Sequence, residues 1–131
     1  MAPHVDGVNV SYVGQVGPEE RDGLLGGSRA LLHLISFAEP FGLAVVEALA
    51  TGTPVIATPL GSMPEIVRDG VTGSLVADVD QAVTAVARLP LIDRRACRAD
   101  VVSRFGADRM VDDHLAVFER VLAESARSSP R

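Results

Sequence analysis

Residues 29–58 form a strand–helix–strand pattern, which constrains the fold more than any other part of the sequence. Arg29 to Ile35 is an apolar run with few polar breaks, typical of a strand covered on both faces. Pro54 to Thr58 is a second short strand of the same kind. Between them, about Gly42 to Ala50 is apolar on every face except at Glu47, which predicts a helix buried on both sides. Two strands joined through a helix normally lie parallel.

The rest of the chain continues this alternation, so we predict an α/β fold. Its core is a partial Rossmann-like parallel sheet flanked by helices. Residues 126–131 are polar and predict a disordered tail. The other predicted elements are strands at Val10 to Val16 and Ser74 to Ala77, and helices at Pro18 to Leu25, Pro64 to Val67, Val79 to Arg88, Leu91 to Phe105 and Asp108 to Ser125.

The last two predicted helices carry opposite kinds of side chain. The first has a run of arginines, which we interpret as its solvated side rather than a phosphate site. The second has apolar residues at helical spacing, which predicts an apolar stripe. The arginines are Arg94, Arg95, Arg98 and Arg104, and the stripe is Val111, Leu115, Phe118 and Leu122.

Glu47 is the one charged residue of the apolar helix. Its neighbours at three- and four-residue spacing are Leu43, Ala44, Ala50 and Thr51. None of them can pair with a carboxylate, and an unpaired buried carboxylate is costly. A distant residue or a ligand must therefore supply the partner.

Glu39 lies just before this helix, in the loop that follows a strand. Open parallel sheets bind ligands in the crevice at the carboxyl ends of their strands. The N–H groups of Phe41, Gly42 and Leu43 open the helix and should point into the same crevice. Free N–H groups and the helix dipole together favour an anion there.

Four motifs in this order resemble the donor-binding core of the retaining, GT-B-type glycosyltransferases, the group that contains sucrose- and glycogen-synthase-like enzymes. The first is a pair of glutamates separated by seven residues, within Glu-Pro-Phe-Gly-Leu and Glu-Ala. The others are a Gly-Thr-Pro-Val-Ile-Ala strand, a Gly-Gly-X-Pro-Glu loop and Asp-Gly-X-X-Gly. In this chain they are Glu39 to Leu43 with Glu47-Ala48, Gly52 to Ala57, Gly61-Ser62-Met63-Pro64-Glu65, and Asp69 to Gly73.

The resemblance implies transfer of a sugar from a nucleotide-diphosphate-sugar donor with retention of configuration. It assigns Glu39 the catalytic position, hydrogen-bonded to hydroxyls of the donor sugar. It implies that Glu47 binds hydroxyls of the ribose or of nearby parts of the nucleotide. Backbone N–H groups from Phe41 through Gly42 to Leu43 would hold sugar and phosphate oxygens. It implies no cofactor and no metal ligands.

The resemblance covers roughly residues 10–122 and therefore only the later part of the family's C-terminal, donor-binding domain. We expect an N-terminal acceptor domain, or another chain, to be needed for transfer. The family's pyrophosphate-gripping Arg and Lys match no residue here. Two central strands also have no counterpart, which leaves a strand edge. We expect Val10 to Val16 or a second copy of the chain to cover that edge, so a homo-oligomer is possible.

The composition narrows the classes of partner. The formal net charge is −5, which argues against nucleic acid as the main ligand. Cys97 is the only cysteine and the three histidines show no metal-ligand spacing, so we interpret Cys97 as an incidental thiol in a reducing cytoplasm. We find neither a signal peptide nor an apolar run long enough to span a membrane.

Two other functions compete with the enzyme. One is a non-catalytic fragment that binds a nucleotide sugar or complements a separate N-terminal chain. The other is a flavodoxin-like regulatory domain, although the first predicted strand has no acidic cluster at its end. His33 also stays open, either as a core histidine or as a residue facing the crevice floor.

Overall fold

The computed structural model describes residues 4–128 and has an α/β fold, as predicted. Its sheet has three parallel strands, β1 (Leu31–His33), β2 (Val55–Ala57) and β3 (Gly73–Leu75), in the order β1-β2-β3. Leu31 is in register with Val55, and Val55 with Gly73. The central strand is therefore β2, whose residues are all buried.

Helices flank this sheet and connect its strands. Pro18 opens the first of them at a position where a missing N–H costs nothing. Asp78 and Asp93 cap two others by accepting hydrogen bonds from Gln81 N–H and Arg95 N–H. The helices are α1 (Pro18–Gly27), α2 (Leu43–Ala50), α3 (Met63–Ile66), α4 (Val79–Arg88), α5 (Arg94–Phe105) and α6 (Ala107–Ser128), with a 3₁₀ turn at Leu89–Leu91.

The two faces of β2 belong to different halves of the core, as the two-residue period of a strand requires. Val55 and Ala57 pack in one cluster with α2, α3 and α5. Ile56 packs in the other with Val76, Leu89 and α4. The sheet is thus covered on both faces at its centre.

The strand predicted at Val10 to Val16 is not formed, and β1 has β2 as its only neighbour among the described residues. Asp6 explains why the backbone is not extended where it enters the predicted strand. Its carboxylate accepts hydrogen bonds from the N–H groups of Val8, Asn9 and Val10, so the backbone turns there instead of extending. Those bonds hold the pKa of Asp6 well below its usual range, and the bond from Val10 N–H has the largest effect. Gly14, with φ 72°, interrupts the rest of the segment.

Helix α2 is buried on one side only, so the prediction of burial on both sides was wrong. Val45, Ala48 and Leu49 are fully buried, whereas Leu43 is 67% exposed. Apolar composition all round therefore does not mean cover all round. Strand β1 shows the same pattern, because Leu32 is 58% exposed in a run that was predicted to be covered.

The arginines of α5 are not simply a solvated side: Arg94 and Arg104 are half-buried, which corrects their prediction, and Arg98 is exposed as predicted but also forms a specific hydrogen bond. Their guanidinium groups donate to backbone carbonyls that terminate other elements. Arg94 donates to Ser28 O and Gly26 O, at 2.6 and 2.7 Å. Arg98 donates to Ala50 O at 2.5 Å, and Arg104 to Ile66 O at 3.3 Å and to Glu65 O. These bonds tie α5 to the ends of α1, α2 and α3.

The remaining differences concern where elements begin and end. Helix α5 begins at Arg94 rather than Leu91, because Leu89–Leu91 forms the 3₁₀ turn and Asp93 caps the helix. Helix α6 continues three residues past the predicted Ser125. The tail predicted for residues 126–131 thus overlaps the end of α6, and residues 129–131 lie outside the described residues.

Candidate functional site

Four backbone N–H groups at the start of α2 are unpaired, although Gly42, one of the four residues, is itself buried. Within residues 4–128, no group accepts a hydrogen bond from the N–H of Phe41, Gly42, Leu43 or Ala44, and Val45 N–H is the first to bond, to Gly42 O at 3.0 Å. Gly42 makes this possible by taking a left-handed conformation, with φ 88°. A side chain at residue 42 would also overlap the methyl group of Met63. The helix therefore begins with unused donors and its positive dipole end.

Glu39 stands beside these donors, two residues before Phe41. It is partly buried and lines a cleft of about 480 Å³ between the loop that precedes α2, helix α3 and the α5–α6 junction. Carboxylates, guanidinium groups and two aromatic rings border this space, a mixture suited to a polar ligand with apolar ring faces. The side chains that border it include Glu39, Phe41, Ser62, Glu65, Arg104, Phe105, Arg109 and Asp113.

Glu47 is one-third exposed and has a partner that its own helix does not provide. Arg21 of α1 places Nη1 2.8 Å from Glu47 Oε1. The Nε of Arg21 is buried and has no hydrogen-bond partner among the described residues. The expectation of a distant partner for Glu47 is therefore confirmed, and the partner lies 26 positions earlier in the chain.

Phe41 is held by an aromatic contact from the opposite wall of the cleft. Its ring meets that of Phe105 edge to face, with centroids 6.0 Å apart. The guanidinium of Arg104 lies over the ring of Phe105, 4.9 Å from its centroid. The Glu39 to Leu43 motif therefore packs against α5 through Phe41, and α5 begins more than fifty residues after Phe41.

The structure brings some of the predicted site residues together and leaves others apart. Glu39 and Phe41 share the cleft, whereas Gly42, Leu43 and Glu47 do not line it. Gly42 and Leu43 contribute at the helix start, and Glu47 faces α1. Sequence reasoning did not identify Arg21, and the only available signal was a basic residue on a neighbouring helix.

His33 ends β1, at the edge of the sheet where the Glu39 loop begins. Its Nε2 is buried and makes no hydrogen bond to the described residues. Its burial is only partial, so neither of the two open interpretations of His33 is decided.

Residues 4–128 contain neither a metal site nor a membrane-spanning helix. No group of three or more His, Cys, Asp or Glu side chains is arranged to hold a metal ion. None of the helices described is both long and apolar enough to cross a membrane.

Known proteins resemble this chain in sequence and in fold. The family described as Glycosyl transferases group 1 matches residues 6–98. A D-inositol 3-phosphate glycosyltransferase of Mycolicibacterium smegmatis is 35% identical over 121 residues, which is 87% of this chain and 28% of that enzyme. The chain therefore spans little more than a quarter of that relative.

Solved structures share the fold. AviGT4, a glycosyltransferase involved in avilamycin A biosynthesis, is 30% identical with a TM-score of 0.75, over 89% of this chain and 37% of AviGT4. A protein of Anabaena, solved in complex with UDP-glucose, has the same fold at 22% identity and a TM-score of 0.59, over 92% of this chain and 32% of that protein. The three-stranded parallel sheet and its helices correspond to part of a GT-B C-terminal domain, and the chain belongs to the group 1 glycosyl transferase family.

Proposed function

We propose that this chain supplies the donor-binding part of a retaining glycosyltransferase that uses a nucleotide-diphosphate sugar. One observation carries the proposal, namely the four free N–H groups from Phe41 to Ala44 beside the carboxylate of Glu39. Membership of the family supplies the class of reaction. An N-terminal acceptor domain, in the same polypeptide or from another chain, would provide the second substrate.

We assign donor contacts to these groups by their charge: N–H groups suit anionic oxygens, and a carboxylate suits hydroxyl groups. The N–H groups of Phe41, Gly42 and Leu43 would bind phosphate and sugar oxygens and stabilise the charge that develops on the departing diphosphate. Glu39 would accept hydrogen bonds from donor-sugar hydroxyls and fix the orientation of the ring. Attack by the acceptor on the face that the diphosphate leaves would retain the anomeric configuration.

Glu47 would hold the ribose. Its Oε1 faces Arg21 at 2.8 Å, and its carboxylate has lone pairs left for ribose hydroxyls. The ion pair fixes the position of the carboxylate before the nucleotide arrives. A preset acceptor loses less entropy on binding.

Titration of the 131-residue chain with UDP-glucose, UDP-N-acetylglucosamine, GDP-mannose and ADP-glucose tests donor binding. We expect weak binding of at least one of them, with amide chemical-shift changes centred on residues 41–44. Binding with shifts elsewhere and none at these residues would contradict the proposed site. Absence of binding across the panel would count against the proposed function.

Glu47→Ala tests the ribose contact. Charge-assisted hydrogen bonds contribute roughly 1.5–3 kcal/mol each, so affinity should fall about tenfold or more. Arg21→Ala separates the loss of the ion pair from the loss of the carboxylate, because it leaves Glu47 in place. Glu119→Ala, an exposed site on α6, is the matched control. Equal losses for Glu47→Ala and Arg21→Ala would remove Glu47 from direct contact.

We expect the isolated chain to show no useful sugar transfer, because the acceptor-binding residues would come from an N-terminal domain or another chain. Turnover near about 1 per second or more in a sensitive donor-consumption assay would contradict this. We also propose a cytoplasmic location and no nucleic-acid partner, since the chain is acidic and its single cysteine is buried and unbridged.

A further inference from the structure

The loop that carries Glu39 is fixed by the loop that follows β2. Gly61 and Ser62 lie directly against the backbone of residues 38–41. A side chain at Gly61 would overlap the carbonyl oxygen of Glu39, and Gly61 has φ 61°. The two loops are therefore in backbone contact with no room between them.

Ser62 joins both ends of the Glu39-Pro40-Phe41 tripeptide. Its N–H donates to Glu39 O at 2.9 Å. Its hydroxyl oxygen lies 2.7 Å from Phe41 O and 3.1 Å from Glu39 O. A hydroxyl has one proton to donate, and the shorter distance assigns that proton to Phe41. Glu39 is thus held by an N–H group and Phe41 by a hydroxyl of the same residue.

The hydroxyl of Ser62 is used in an unusual way for its position. Ser62 is the residue before α3, where a serine normally accepts a hydrogen bond from the first turn. No such bond is formed, and the side chain turns toward Phe41 instead. Removing the hydroxyl would therefore not remove a cap from α3.

We propose that Ser62 is a positioning residue that sets the direction of the Gly42 N–H group and orders the residues beside it. Phe41 O is held in place by Ser62, and the peptide unit that contains this carbonyl also contains the N–H of Gly42. The planar peptide fixes one group when the other is fixed. The role in donor binding rests on the proposed function, whereas the ordering of the loop does not.

The test of ordering needs no ligand. ¹⁵N relaxation of the 131-residue chain reports the order of each amide. Ser62→Ala should lower the heteronuclear NOE of Phe41, Gly42 and Leu43, and Ser62→Thr should restore it because the hydroxyl returns. Ser103→Ala removes a hydroxyl that donates to Asp100 O on α5 and is the matched control. Unchanged order in Ser62→Ala, or loss of order throughout the chain, would overturn the proposal.

The second readout separates positioning from general stability. UDP-glucose and uridine share the nucleoside but differ in the diphosphate and the sugar, whose oxygens the Gly42 N–H would bind. Ser62→Ala should weaken UDP-glucose about tenfold more than uridine. Equal weakening would overturn the part of the proposal that concerns the donor. If the wild-type chain binds neither probe, the relaxation data alone decide whether Ser62 orders the loop.

Discussion

Strand β2 and helix α6 use similar apolar residues with opposite results. All three residues of β2 are buried, with a strand on each side and helices over both faces. Every residue of α6 from 107 to 127 is exposed, including Phe118 at 57% and Leu122 at 69%. Residue type therefore does not decide burial in this chain, and the number of neighbouring elements does. The two regions should therefore differ in the unfolding free energy that the loss of an apolar side chain removes.

Leu49→Ala in the interior should give the largest effect. Leu49 is fully buried on the side of α2 that packs in the β2–α5 cluster. Truncation would leave a cavity, so the free energy of unfolding should fall by about 2–5 kcal/mol. Phe118→Ala removes a larger side chain from α6 but should change it by less than about 0.5 kcal/mol. Chemical denaturation of both variants measures the contrast, and similar losses would mean that α6 is packed.

Asp100→Asn should give an intermediate effect at the border of the interior. The Asp100 carboxylate is 8% exposed and lies 2.8 Å from both Arg68 Nη1 and Arg104 Nη1. Burial acts to raise the pKa of Asp100, but hydrogen bonds from Arg68 and Arg104 outweigh it and lower this pKa. The substitution should cost roughly 1–3 kcal/mol of unfolding free energy at neutral pH.

The pH dependence of that cost follows from the direction of the pKa shift. A carboxylate whose pKa is lowered by folding stabilises the protein above its ordinary pKa, about 3.9. The contribution is lost as pH falls toward the folded value. The stability difference between wild type and Asp100→Asn should therefore be full above about pH 5 and shrink below about pH 4. Asp113→Asn is the control, because Asp113 forms an exposed pair with Arg109 at 3.4 Å. A pH-independent difference would contradict the argument.

Local patterns predicted the centre of the molecule well. Helix α4 begins and ends where its pattern predicts, because its apolar spacing and its Asp78 cap agree. The parallel sheet followed from the strand–helix–strand order at residues 29–58. In both cases, the residues whose pattern predicts the element make their contacts within that element or with its neighbours along the chain.

The sequence was uninformative where the identity of a distant partner decides the outcome. Glu47 needed a partner, but nothing in its own helix indicated that Arg21 would provide it. The arginines of α5 looked solvated, because no sequence pattern reveals which carbonyls end other helices nearby. Ser62 belonged to a loop motif, and nothing in the sequence indicated that its hydroxyl would donate to Phe41 O. Such contacts join positions 21 to 68 residues apart, and local periodicity carries no information about them.

Substitution in the exposed apolar stripe of α6 should have the smallest effect on the free energy of unfolding but a large effect on association. The stripe comprises Val111, Leu115, Phe118 and Leu122, each at least half exposed. Contiguous apolar surface of this kind marks an interface, and the open edge of β1 adds unpaired backbone groups. We expect the chain to form a dimer or a larger species at micromolar concentration.

Phe118→Glu tests this expectation, because a charge in the stripe opposes association without touching the interior. Sedimentation or light scattering should show a shift toward monomer, while the unfolding free energy of the monomer changes by less than about 0.5 kcal/mol. Leu91→Glu places the same charge at an 84% exposed apolar residue outside α6 and should leave association unchanged. A wild-type chain that stays monomeric at high concentration and binds no hydrophobic dye would show that water alone covers α6. In that case, the contrast between β2 and α6 would be one of stability only, since α6 would then need no partner to remain folded.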